Sequence, residues 1–128
     1  MSQYNSGVYC PPVGQYLCNI PVGFAEDEVM KRAIGRDGCY FKQITEGTGV
    51  SYIWHRRDTV VSHNWEPVVE VWGPREYLDM AVQQVKFRIY KAICDMYNEN
   101  RPLTDASINW MNDYYQNEIA SWQNQNLY

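Results

Sequence analysis

The chain has 128 residues, enough for one domain with a tail at each end. Hydrophobic residues make up 45% and charged residues 20%, the composition of a chain that builds a core and not of a disordered one. Eleven basic residues against fifteen acidic ones leave a net charge of −4, which excludes a surface that is basic throughout but not a local basic site.

No apolar run approaches the roughly 20 residues of a membrane-spanning helix. The opening MSQYNSGVYCPPVGQYLCNI lacks the basic start and apolar block of a secretory signal. Cys10, Cys18, Cys39 and Cys94 form no C-x-x-C pair and no Cys/His cluster, so neither a zinc site nor a disulfide framework is expected. Free thiols and an intracellular location, cytoplasm or nucleus, follow as expectations.

Residues 1–15 read as an irregular arm punctuated by Gly7, Pro11, Pro12 and Gly14. Tyr16 to Ile20 has strand character, ended by Pro21-Val22-Gly23. Residues 25–34 read as a short helix. Glu26, Asp27 and Glu28 favour its N-terminal dipole end, Lys31 and Arg32 its C-terminal end, and Val29, Met30, Ala33 and Ile34 form an apolar face. Gly35-Arg36-Asp37-Gly38 breaks that helix. A second helix is predicted from Cys39 to about Glu46, with Phe41 and Ile44 inward and Gly47-Thr48-Gly49 as its stop.

Val50 to Trp54 and Val68 to Trp72 read as strands rich in β-branched and aromatic residues. Between them, residues 55–66 read as a polar loop with ragged pairing around Val60-Val61. Gly73-Pro74 opens the longest helix, Arg75 to Tyr97, whose stripe Leu78, Val82, Val85, Ile89, Ile93 and Met96 is a core face. Asn100-Arg101-Pro102 ends it. A last helix is predicted from Thr104, a good N-cap, to about Trp122.

The informative region is 31–49. Two helices meet at a G-x-x-G turn, where the absence of side chains lets a phosphate–sugar strand approach closely. The second glycine opens a helix whose amide hydrogens point toward an anion placed there. Ile34 to Gly49 resembles the KH-domain signature I-G-x-x-G-x-x-I-K-x-I-x-x-x-T-G, departing from it at Phe41. Val69-Glu70-Val71-Trp72-Gly73 resembles the family's third strand, and Ala81 with the Val82/Val85/Ile89 stripe resembles its last helix. The likeness runs over about residues 16–93.

The resemblance implies an α+β type I KH fold over residues 16–97: a three-stranded antiparallel sheet with helices on one face, preceded by the arm and followed by an extra C-terminal helix in 98–128. It also implies recognition of single-stranded RNA, or less readily DNA, about four nucleotides at a time. Gly35, Arg36, Asp37 and Gly38 would meet the backbone. Ile34 and Ile53 would floor the groove that holds the bases. Lys31, Arg32 and Lys42 would flank the turn, with Arg56 and Arg57 at the start of a variable loop. Charge supports this separately, since residues 31–42 carry a net +3 and residues 98–128 a net −3.

Trp54, Trp65 and Trp72 read first as core or interface residues and only second as stacking surfaces for bases. His55 and His63 read as solvent-exposed loop residues. Nothing supports catalysis, a cofactor or a metal: no nucleophile–base arrangement and no phosphate-cradling Gly-x4-Gly-Lys loop occurs.

Ile108, Trp110, Met111, Tyr114, Tyr115, Ile119 and Trp122 are too many large groups for one helix to leave in water. Either they fold back onto the domain, for instance onto the open face of its sheet, or they dock on a partner or a second copy. The second choice motivates an alternative reading, a structural or assembly protein using the fold as a scaffold, for example in a viral particle.

Overall fold

The computed structural model describes residues 14–57 and 66–120. Among these residues the strands β1 (Tyr16–Pro21), β2 (Tyr52–Arg56) and β3 (Val68–Gly73) form one antiparallel sheet in the order β1-β3-β2. The helices are α1 (Asp27–Ile34), α2 (Cys39–Thr48), α3 (Arg75–Asn98) and α4 (Asp105–Tyr114), the last running on as a π-helical turn, Tyr115–Ala120. The chain therefore runs β-α-α-β-β-α before α4, an α+β architecture as expected.

The central strand explains the layering. In β3, Val69 and Val71 are both fully buried, and the register sets Ile20 and His55 opposite Val69, Cys18 and Ile53 opposite Val71. Successive side chains alternate between faces, so these residues share one side of the sheet. Val29, Met30 and Ala33 of α1, Phe41 and Ile44 of α2, and Val85, Ile89 and Ile93 of α3 close over that side as one core cluster. Each fully buried aliphatic such as Ile89 contributes about 1.5–3 kcal/mol. The α3 stripe falls where its spacing put it, with Val82, Val85, Ile89, Ile93 and Met96 buried and Leu78 half-buried against the same core.

Several boundaries differ from the sequence reading, by one or two residues. The first helix starts later, at Asp27, because Glu26 holds extended backbone as its N-cap. Helix α2 continues through Gly47 to Thr48, whose hydroxyl donates to the Ile44 carbonyl, and stops at Gly49, which has a left-handed φ of 89°. Strand β2 begins two residues later than predicted and takes in His55 and Arg56, because pairing runs on until Arg56 faces Val68. Local composition marks a strand, but its ends belong to the partner strand. The predicted arm (but for Gly14 and Gln15), the ragged pairing at Val60-Val61, His63, Trp65, Cys10 and Trp122 lie outside the described residues. Cys18, Cys39 and Cys94 are free thiols. Among the described residues no helix is long and apolar enough to cross a membrane.

Helix α4 lies against its own domain, on the helical side and not on the open sheet face. Thr104 caps it by accepting from the Ser107 amide at 3.2 Å. Ser107 is fully buried and its hydroxyl bonds the Phe24 carbonyl at 3.0 Å and the Glu26 carboxylate. The Thr104 amide donates to the same carboxylate at 2.6 Å, so Glu26 ties the start of α1 to the start of α4. An aromatic chain follows: Phe24 stacks on Trp110 at 4.7 Å, Trp110 on Tyr114 at 5.2 Å, and Tyr114 packs on Tyr90 at 5.0 Å. Burial, then a hydrogen bond with Cys94, pushes the Tyr90 phenol up to about 12.

Of the residues expected at a protein interface, Trp110 and Met111 thus pack on the domain's own core, Ile108 and Ile119 are half-buried, and Tyr115 is exposed. Truncating the shared ring, Trp110→Ala, is expected to destabilise the protein by about 2 kcal/mol, since the side chain is only partly buried. Urea unfolding read by far-UV circular dichroism measures this.

Candidate functional site

The turn between α1 and α2 is built from backbone that side chains rarely tolerate. Gly35 has φ 86° and ψ 165°, a region close to exclusive to glycine, and its amide donates to the Lys31 carbonyl at 3.0 Å. A Cβ there would stand 2.5 Å from the Tyr40 ring and 2.8 Å from the Cys39 sulfur. Arg36–Gly38 make a 3₁₀ turn, with Asp37 left-handed at φ 56° and Gly38 at φ 75°. The Gly38 amide closes it on the Gly35 carbonyl at 3.0 Å. No side chain caps the start of α2. Arg36 and Asp37 are exposed, and the ion pairs among the described residues involve neither.

Beside this turn runs a groove of about 390 Å³. One wall comes from the α1–α2 side, with Ile34, Gly38, Phe41 and Lys42; the other is β2, an edge strand, with residues 52–55. Ile34 and Ile53, the two expected floor residues, line the same groove, and Phe41 lies almost fully buried beneath it. Lys42 reaches the groove from α2, four residues past Gly38. Ile34, Phe41 and Ile53 supply apolar lining, Lys42 and Glu46 of α2 one charge of each sign, and Tyr52 and Trp54 the aromatic residues of the strand wall.

Geometry sorts the expected cations. Lys31, Arg36, Lys42 and Arg57 are exposed. Arg32 is engaged: its two terminal nitrogens donate to both Glu99 oxygens at 2.9 Å and its Nε to Glu28 at 3.1 Å. This pairing, with Glu99 first, holds the guanidinium above its usual range and the Glu99 carboxyl below its own. Arg56 sits on β2 and not in the loop, with Nε 2.7 Å from Glu70, a carboxylate that is itself buried. Both arginines were expected as phosphate contacts; both already serve carboxylates.

Three residues of the strand wall, Tyr52, Trp54 and His55, were not among the expected groove residues. Placement in a polar loop hid His55, which lines the groove half-buried. Burial, then the nearby Arg57 charge, pushes its imidazole below the ordinary 6.5, with Asp27 opposing. Trp54 was read first as a core or interface residue and second as a base-stacking surface; it is 49% exposed, whereas Trp72 is 4% exposed. Strand alternation alone does not separate them, because both lie on the same face of the sheet. Among the described residues no cluster of His, Cys, Asp and Glu is arranged to hold a metal.

No protein-family model matches the chain, and no curated protein matches it either.

Two measurements test this geometry. Gly35→Ala is expected to cost upward of about 2 kcal/mol, from the forbidden backbone region and the ring contact, and Gly38→Ala about 1 kcal/mol, since its Cβ meets only the end of the Lys42 side chain at 3.9 Å; chemical unfolding compares them. His55 has a lower pKa folded than unfolded, so the unfolded chain takes up protons first as pH falls below 6.5. Stability contributed by the neutral imidazole is therefore present above that pH and lost as pH falls. Thermal melts between pH 7 and 5.5 should fall for the wild type and fall less for His55→Gln.

Proposed function

We propose that the chain is a type I KH domain, non-enzymatic and without a cofactor, that binds single-stranded nucleic acid, RNA in preference to DNA. The observation that carries this is the juxtaposition of the glycine turn with an apolar groove. A turn free of Cβ groups except at Arg36 and Asp37, with uncapped helix amides behind it, accepts a phosphate–sugar backbone. The groove beside it holds Ile34 and Ile53 where unpaired bases need an apolar floor. The β-α-α-β-β-α order, the β1-β3-β2 sheet and the I-G-R-D-G run at Ile34–Gly38 support the same reading.

The available rim charge is small. With Arg32 and Arg56 paired, Arg36, Lys42, Lys31 and Arg57 remain to meet phosphates, and binding is accordingly weak and salt-dependent. A second copy or a partner with further sites would add avidity.

A scaffold function is the second reading, favoured by one observation. Tyr77, Met80 and Phe87 are 43%, 58% and 42% exposed along α3, an apolar stripe at helical spacing available to a protein partner.

Fluorescence anisotropy with randomised single-stranded RNA and DNA at several salt concentrations decides between them. Under the nucleic-acid reading, log affinity falls with log salt by about 0.7 per phosphate neutralised. Arg36→Asp should lose about tenfold or more while staying folded, and Arg32→Gln should leave the salt slope unchanged. Absence of wild-type binding at low salt would overturn the reading in favour of the scaffold.

A further inference from the structure

We propose that Trp54 is a stacking platform for one unpaired base of the bound strand, and that Arg56 and Glu70 hold it in place. The inference rests on the nucleic-acid reading above and adds to it a residue outside the glycine signature.

Tyr52, Trp54 and Arg56 share the outer face of β2, opposite Trp72, Glu70 and Val68 of β3. The two tryptophans of this face have different fates. The Trp72 indole is buried, with Nε1–H donating to Glu70 Oε1 at 3.1 Å. Trp54 keeps 49% of its surface exposed and is one of the residues that line the groove containing Gly38 and Lys42. β2 is an edge strand, and Trp54 is among the groove-lining residues although it lies on the outer face.

Single exposed aromatics are ordinary, and exposure alone carries nothing. What distinguishes Trp54 is that it is held. The Arg56 guanidinium lies over its ring at 4.6 Å from the centroid, a cation–π contact. Arg56 is in turn fixed by Glu70, through Nε–Oε2 at 2.7 Å and Nη2–Oε1 at 3.5 Å. Glu70 is 6% exposed and serves both the guanidinium and the Trp72 indole, so it anchors the row. An aromatic plane oriented in advance loses little freedom when a base stacks on it.

The chemistry of the groove selects the ligand. A π-face suits any nucleobase, and Lys42 and Gly38 in the same groove, with the rest of the turn beside it, suit the phosphates that follow. A strand pinned by its backbone at the turn therefore carries a base toward the β2 edge. Arg56 is a positioning residue here; its contact with the ligand passes through Trp54.

The test uses the full chain and short RNA homopolymers of each base, followed by the tightest binder with single positions made abasic in turn. Trp54→Ala and Trp54→Phe remove a half-exposed side chain, and near-UV circular dichroism checks that both fold. Trp54→Ala should weaken binding about tenfold or more at an unchanged salt slope, with Trp54→Phe recovering most of it. At one abasic position the wild type should lose as much, and Trp54→Ala should lose nothing further there. A Trp54→Ala protein that binds like the wild type, while Arg36→Asp does not, would overturn the platform and leave the nucleic-acid reading standing. Equal losses for wild type and Trp54→Ala at every abasic position would also overturn the platform. No binding by the wild type to any homopolymer would overturn the underlying reading, and the platform with it.

Discussion

The architecture turns on the backbone at Gly35. Its φ of 86° with ψ of 165° ends α1 abruptly and lets α2 leave in a direction that brings Ile44 and Phe41 into the same core as Val29 and Ala33. A side chain at that point would meet the Tyr40 ring and the Cys39 sulfur. The same absence of a Cβ that permits the packing exposes the turn's backbone beside the groove. Fold and candidate site thus share one constraint, and a change that relieves it for one damages the other.

A second organising group is Glu70. A carboxylate on the central strand, turned away from the helices and nearly inaccessible, requires partners, and it has Arg56 and the Trp72 indole. That arrangement withdraws Arg56 from the solvent charge and gives Trp54 a fixed neighbour. Arg32 is withdrawn in a parallel way, by Glu28 within its own helix and by Glu99 just beyond α3. The basic character counted along residues 31–42 and 56–57 is therefore larger than the charge presented at the groove.

The C-terminal segment supplies part of the domain's own packing. Its acidic residues stay in water while Ser107, Trp110 and Tyr114 turn inward, and Glu26 joins its first turn to that of α1. The apolar stripe left over belongs to α3, not α4.

The sequence by itself determined the elements and their order. Glycines at 35, 38 and 49, the i, i+3, i+4 stripe from Val82 to Met96, and the β-branched runs in β2 and β3 each act through neighbours a few residues away, so their signal is local. The flexible-looking start of the 55–66 segment deceived for the same reason: nothing in His55-Arg56 announces a strand until Val68 and Val69 pair with it. Only the tertiary structure decided which cations are free, which tryptophan stays exposed and where α4 rests. Those outcomes depend on Arg32 meeting Glu99, Arg56 meeting Glu70 and Phe24 meeting Trp110. Such pairs are separated by a loop or by most of the chain, and folding alone brings them within reach.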